Sequence, residues 1–315
     1  CTDPISPAPG RGWWPRIAMS ANPAQESKAY ELIEAAEARL KAFTVPFLQS
    51  KEAKYEDAAE LFQKAGNTFK VAKNFGEAGA AYARAADCHL RTGSQHEAAS
   101  AFNEAAGAYK KADPSEAIGC LKRAIELFTD LGRFSQTAKI HKEVAEIFEA
   151  QENIEGAIEH FQLAADFYSG EDAASSANQC LLKVAAFCAQ LGRYDKAVEI
   201  YEEVAASSLE SNLLKWSVKD YYQRALLCVL ASGDENAVDK ARSKLEKYEG
   251  MDPTFSDTRE CKLVKDVLAQ FEALDVDAFT QVVFEYDSIS KLDTWKTSVL
   301  LKVKKAIQES GDSLT

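Results

Sequence analysis

Small and large apolar residues recur along the chain at spacings that fit one face of an α-helix. In "YEDAAELFQKAGNTFKVAKN" they stand at steps of four, three and four, at Ala58, Phe62, Ala65 and Phe69. Such steps place all four side chains on one stripe of a helix. The same order returns in units that begin at positions 55, 75, 95, 114, 134, 154, 174 and 194. The pattern therefore predicts one amphipathic helix in each unit.

Turn residues separate these helices, at Lys73-Asn74, Gly93-Ser94, Gly132-Arg133 and Gly192-Arg193, and Pro114 opens a unit. A lone helix of this length is marginal in water, so neighbouring helices must stack. Two units form a hairpin of about 40 residues, and their spacing of small and aromatic residues is that of the second helix of a tetratricopeptide repeat. We expect an all-α fold, a tetratricopeptide-like right-handed α-α superhelix, which is a twisted sheet of antiparallel helices.

The regular pattern fades after Asn212. Helices of irregular spacing are predicted over 213–231, 235–248, 260–273, 276–289 and 293–308, with a loop from Glu249 to Asp257. We interpret this part as a C-terminal helical bundle. The expected organisation is a non-native or disordered extension over 1–18, an N-terminal helix, hydrophobic loop and helical repeats over 19–212, the bundle over 213–308 and a flexible tail over 309–315.

Composition excludes several classes of function. The net charge of −12 opposes generic nucleic-acid binding, which depends on clustered Lys and Arg. The seven cysteines form no CxxC pair and are interpreted as reduced core thiols of a cytosolic protein. No run of 18 apolar residues is present, so no transmembrane helix is predicted.

The sequence offers no catalytic constellation. The four histidines fall in separate units, no two of them stand at i, i+4, and there is no phosphate-binding loop, nucleophile elbow or HExxH motif. His141 lies on the apolar stripe and is interpreted as a packed core residue. We therefore predict no catalytic residue, no metal site, no cofactor and no enzyme activity, and a surface that binds other proteins.

An apolar segment, "AFTVPFL" over 42–48, lies between basic residues, with Lys41 before it and Lys51 and Lys54 after it. Two interpretations remain open. The segment contacts a membrane surface, or it packs onto the first repeat.

Four segments carry a resemblance to a known family: "KKADPSEAIGCLKRAIELFTDLGRF" (110–134), "SANQCLLKVA" (176–185), "FSDTRECKL" (255–263) and "EYDSISKLDTWKTSVLLKVKKAIQ" (285–308). They resemble the soluble NSF attachment proteins of the alpha-SNAP/Sec17 type, over about Glu26 to the C-terminus. The resemblance implies an adaptor that coats an assembled SNARE four-helix bundle (syntaxin, SNAP-25 and synaptobrevin types). The adaptor recruits and stimulates the AAA+ ATPase NSF (Sec18 type), which disassembles the bundle during vesicle fusion and protein transport. It implies a cytoplasmic protein that associates peripherally with membranes.

The resemblance also assigns residues. Positions that match SNARE-binding cations of the family are Arg133, Lys139, Lys183, Lys215 and Lys219, with Lys110 and Lys111 as weaker candidates. Gln179 stands where relatives can carry Lys. The family's membrane-contacting loop matches Phe43, Val45, Phe47 and Leu48. The ATPase-binding end matches or neighbours Asp234, Glu272, Asp275, Asp277, Asp312 and Leu314.

The C-terminal tail departs from the family pattern, because only Asp312 remains of an acidic run and Thr315 ends the chain. A different tetratricopeptide-like scaffold, such as a co-chaperone that binds C-terminal peptides, is the alternative function. It would need a clamp of Lys and Asn residues, which these repeats do not supply.

Overall fold

The computed structural model describes residues 22–42 and 51–312. These residues form fourteen α-helices and two short 3-10 helices, and contain no strand. The helices are α1 Pro23–Lys41, α2 Lys51–Val71, α3 Phe75–Arg91, α4 Gln95–Tyr109, α5 Pro114–Asp130, α6 Phe134–Ala150, α7 Ile154–Gly170, α8 Ala174–Gln190, α9 Tyr194–Leu209, α10 Val218–Ala231, α11 Ala237–Met251, α12 Arg259–Ala273, α13 Val276–Ile289 and α14 Thr294–Asp312. The predicted all-α class is confirmed.

The repeat pattern locates the helix starts. Helices α3 to α9 begin at the predicted unit starts, whereas α2 begins at Lys51, before the predicted Tyr55. Asp113 illustrates how residues next to a helix start fix its position. Its carboxylate accepts hydrogen bonds from the backbone N–H groups of Ser115 and Glu116, and Pro114 occupies the first helical position.

The predicted turns contain left-handed residues. Gly93, Gly132 and Gly192 have φ values of 76°, 67° and 76°. At the equivalent places in two other turns the chain uses Glu152 and Asp172, with φ values of 59° and 54°. The repeat therefore imposes this conformation even where the residue type does not favour it.

The apolar stripe forms the core, as predicted. Ala58, Phe62, Ala65 and Phe69 are all 0% exposed. In α7, Ala157, Phe161, Ala164 and Tyr168 are also buried. The alternation of small and aromatic residues lets neighbouring helices approach closely while rings fill the gaps between them.

Contacts group the described residues into two units, one up to Gly132 and one from Arg133 onward. Within each unit consecutive helices pack against each other, from α1 to α5 and from α6 to α10. In the second unit α10 also packs against α11, α12 and α14. The predicted division after Asn212 stays a prediction.

The C-terminal part differs locally from the expectation. The predicted helix from Leu213 instead begins at Val218, after a 3-10 turn over Lys215–Ser217. The loop predicted over 249–257 was wrong: α11 continues to Met251, and Pro253–Asp257 form a second 3-10 helix. Its Phe255 is 0% exposed and packs edge-on against Tyr222, so tertiary burial orders this segment.

The six cysteines that the structure describes are free and buried, as the sequence indicates. Among the described residues, no helix is long and apolar enough to span a bilayer. His141 is buried, which confirms its core interpretation. Its Nδ1 lies 3.0 Å from Nδ1 of His160 on α7, a pairing that the sequence did not reveal. Burial, and then the neighbouring His160, lower the pKa of His141 to about 4.

Candidate partner-binding surface and acidic C-terminal end

The first predicted cations lie on α6. Arg133 precedes the helix without making a side-chain cap, and Lys139 lies within its second turn. Both are exposed, and neither forms an ion pair with another residue that the structure describes. Lys142, one turn after Lys139, was missed by the sequence reasoning, although its i+3 spacing from Lys139 was a usable signal. We refer to Arg133, Lys139 and Lys142 as the α6 cations.

The other predicted cations of the second unit are engaged with their own chain. Lys183 on α8 donates to both carboxylate oxygens of Glu149, at 2.7 and 3.0 Å. Lys219 lies 3.1 Å from the carboxylate of Glu260 on α12. Lys215 donates to Asn212 at 3.4 Å and lies 5.6 Å from the ring centroid of Trp216, which is 74% exposed.

The two weaker candidates belong to the first unit. Lys110 and Lys111 follow α4 and are exposed. The ammonium of Lys111 lies 4.6 Å from the ring centroid of Phe75, a cation–π distance. This contact supports the packing of α3 against the end of α4.

A cavity of about 670 Å³ opens beside Lys183. Its walls come from alternate helices, α6, α8 and α10, and the buried rings of Phe161 and Tyr201 lie beneath them. Lys142 and Gln179 also line it. Lys139 is one turn from Lys142. The structure therefore brings together three of the positions that the sequence analysis matched to SNARE-binding positions of the family: Lys139, Gln179 and Lys183.

A charged network at the cavity joins α10 to the start of α14. Asp220 accepts from Arg224 Nε at 2.7 Å and from Lys296 Nζ at 2.5 Å. The guanidinium of Arg224 also pairs with Asp293 and lies 4.7 Å from the ring centroid of Trp295. Burial alone would raise the pKa of Asp220, but Arg224 and Lys296 outweigh burial and lower it. Half-buried charges of this kind are stable only when they are paired.

Four of the predicted ATPase-binding residues lie at one end of the C-terminal helices: Asp234, Glu272, Asp275 and Asp277. Asp234 pairs with Lys240 at 2.7 Å, and Glu272 pairs with Arg242, so both carboxylates are tied to the N-terminal half of α11. The hydrogen bond from Lys240, followed by one from the backbone of Asn236, lowers the pKa of Asp234.

The turn between α12 and α13 belongs to the same end. Asp275 caps α13 by accepting from the backbone N–H groups of Asp277 and Ala278, at 3.1 and 2.9 Å. A cavity of about 430 Å³ is shared by Leu274 and Val276 of this turn and by the C-terminal residues of α14. The carboxylates of Glu272, Asp275 and Asp277 are exposed.

The tail begins as helix rather than as a flexible segment, because α14 extends past the predicted end at Gln308 to Asp312. Leu314 lies outside the described residues, as do the predicted membrane-contacting residues Phe43, Val45, Phe47 and Leu48.

Stacked helices that carry exposed cations without a described ion-pair partner on α6, and exposed carboxylates between α12 and α13, define a protein-binding scaffold. The family model for soluble NSF attachment protein, SNAP, matches residues 27–308. Alpha-soluble NSF attachment protein of Mus musculus is 47% identical over 298 residues, which cover 93% of this chain and 99% of that protein.

Two further relatives widen the comparison. Beta-soluble NSF attachment protein of Bos taurus is 46% identical, over 92% of this chain and 97% of its own length. The probable vesicular-fusion protein sec17 homolog of Schizosaccharomyces pombe is 42% identical, over 83% of this chain and 90% of its own length. The chain belongs to the soluble NSF attachment protein family.

Proposed function

We propose that this protein is an adaptor that binds assembled SNARE complexes and recruits and stimulates the AAA+ ATPase NSF for their disassembly in vesicle fusion. The observation that carries the proposal is the match to family members over nearly the whole chain and nearly their whole length. The family consists of adaptors, so the protein acts by binding and not by catalysis. Its relatives include proteins named for vesicular fusion in two fungi.

The SNARE bundle contacts the second unit through the α6 cations and the neighbouring Lys183. The exposure of Arg133 and Lys139 supports this assignment, because a cation without an internal partner loses no ion pair when it meets an acidic surface. Lys183 and Lys219 must share or release Glu149 and Glu260 when they bind. Lys215, Lys110 and Lys111 extend the same role to the α9–α10 connection and to the first unit.

The ATPase binds the acidic end of this protein's C-terminal helices, through Asp234, Glu272, Asp275 and Asp277. The turn that carries Asp275 supports this proposal, because its neighbours Leu274 and Val276 share a cavity with the last turns of α14. A basic partner domain would be attracted to this end and would associate more slowly at high salt.

The protein associates peripherally with membranes through Phe43, Val45, Phe47 and Leu48. Each large apolar side chain contributes roughly 1.5–3 kcal/mol at full burial, and less at an interface. One loop is a weak anchor, and several adaptors on one SNARE bundle would bind much more tightly through effective concentration. Nucleic acid is not a partner, given the net charge of −12.

Retention of this protein on an immobilised, assembled SNARE bundle tests the proposal. We expect the Arg133→Ala, Lys139→Ala double variant to bind roughly fivefold to thirtyfold more weakly, because each cation contributes about 0.5–1 kcal/mol at an interface rim. Lys196→Ala is the matched control, since Lys196 on α9 is exposed and its one ion pair with a described residue is to Glu199 of its own helix. Addition of NSF and ATP should then release the individual SNARE chains.

Two results would contradict the proposal. The first is that the wild-type protein binds the SNARE bundle no better than an unrelated acidic coiled coil of the same length. The second is that the bound protein fails to retain NSF on the SNARE bundle.

A further inference from the structure

The cavity beside Lys183 has no net charge to offer an acidic partner. Lys183 is held by Glu149, and Arg224 is held by Asp220, which also binds Lys296. An incoming carboxylate would have to displace a carboxylate that is already seated. The cavity therefore differs from Arg133 and Lys139, which are exposed and form no ion pair with another described residue.

The remaining two charged residues at the cavity also cancel. Lys142 and Glu146 lie one turn apart on α6, and neither forms an ion pair with any residue in the described part of the chain. Their charges are opposite and close together, so they add no net field. Electrostatics alone gives no reason for an acidic side chain to enter.

The interior of the cavity is apolar. Phe161 and Tyr201 are 1% and 0% exposed and lie beneath it, while the half-buried side chains of Leu182 and Tyr221 form its walls. The ammonium of Lys183 lies 6.0 Å from the ring centroid of Phe161, so the cation lies above an aromatic ring. An apolar interior ringed by ion pairs has the character of an interface hot spot, in which a surrounding polar rim excludes water from one buried anchor.

The cavity is continuous with the surface assigned to the SNARE bundle. Lys139 is the sixth residue of its repeat unit on α6, and Gln179 is the sixth residue of its unit on α8. Gln179 lines the cavity, and Lys139 lies one turn from Lys142, which also lines it. A partner helix that runs from Lys139 toward Gln179 therefore passes over the opening.

The geometry points to one occupant: the cavity of α6, α8 and α10 receives a large apolar or aromatic side chain from the outer surface of the SNARE bundle. Acidic residues that flank this side chain contact Lys139, which is exposed. The inference rests on the proposed function. It assigns Tyr221 and Leu182 to binding, and it places the Lys183–Glu149 ion pair at the rim of the cavity.

The test measures the affinity of the full-length protein for a soluble, assembled SNARE bundle at low and at high salt. We expect Tyr221→Ala to weaken binding about tenfold at both salt concentrations, because an apolar anchor is insensitive to screening. Lys139→Ala should weaken binding mainly at low salt. Tyr221→Phe is the matched control and should bind as the wild type does, since it keeps the ring.

A second cavity variant provides an independent test in case Tyr221→Ala does not fold. Leu182→Gln places a polar group in the opposite wall and should weaken binding in the same salt-independent way. Thermal unfolding of each variant establishes that it is folded. If Tyr221→Ala does not fold, Leu182→Gln decides the question.

Three outcomes are distinguishable. If Tyr221→Ala and Leu182→Gln bind as the wild type does while Lys139→Ala is weakened, the cavity receives no anchor and the adaptor role stands. If their losses vanish at high salt, the cavity acts through charge and the inference is wrong. If the wild-type protein does not bind the bundle, the proposed function itself fails.

Discussion

Acidification should destabilise the second unit through His141. Its folded-state pKa of about 4 lies below the ordinary value of 6.5. The unfolded chain therefore takes up a proton on this residue before the folded protein does. The resulting stability is complete above about pH 6.5, falls as the pH drops toward 4, and changes no further below that.

The size of the effect follows from these two pKa values. Between pH 7 and pH 5 the unfolded form gains nearly all of its proton and the folded form gains almost none, which costs about 1.8 kcal/mol. For a chain of this length about 2 °C of melting temperature corresponds to 1 kcal/mol, so we expect a shift of about 4 °C. Carboxylates contribute little in this window, because they titrate mainly below pH 5.

The assay is thermal unfolding of the wild type and of His141→Asn at both pH values. Asn keeps a hydrogen-bonding group near Nδ1 of His160 but carries no titratable ring. The pH-dependent loss should be smaller in His141→Asn by about 1.8 kcal/mol. His89→Gln, in the first unit, is the control and should behave as the wild type does. Equal pH sensitivity of the wild type and His141→Asn would refute the conclusion that burial keeps His141 neutral.

Three further predictions concern the turns, the loop and the tail. Glu152→Gly should raise the free energy of unfolding by about 0.5–1 kcal/mol in urea titrations, because φ at this residue is 59°. Gly132→Ala should lower the free energy of unfolding. An unchanged free energy of unfolding in both variants would contradict the conclusion that these turns are strained for residues other than glycine. Phe43→Ser with Phe47→Ser should weaken liposome co-sedimentation and leave the melting temperature unchanged, whereas the reverse result would favour packing onto the first repeat. Truncation after Gln308 should retain SNARE binding and lose most disassembly, and unimpaired disassembly would remove the tail from the mechanism.

The helices and their order were predictable because the signals are local. A stripe such as Ala58, Phe62, Ala65 and Phe69 lies within one helix, and its burial follows from its spacing. Caps and turns such as Asp113 and Gly132 act on neighbouring backbone groups. The family resemblance could also be recognised from the sequence, because it depends on short contiguous segments.

Local signals failed where ordering depends on a distant partner. The segment around Phe255 reads as a loop, yet burial of its ring against Tyr222 folds it into a 3-10 helix. The pairing of His141 with His160 was equally hidden, because the two residues lie in different repeat units and at different positions of the unit.

For this protein the sequence alone determined the helical repeat and the buried stripe, because each is encoded by residues within a turn or two of one another. The candidate cations came from the family resemblance. Only the tertiary structure decided which cations remain unpaired. Lys139 and Lys183 look alike in the sequence, but within the described part of the chain only Lys183 meets a carboxylate, that of Glu149 on a different helix. The strength of an ion pair depends on distance in space, and the packing of alternate helices sets that distance.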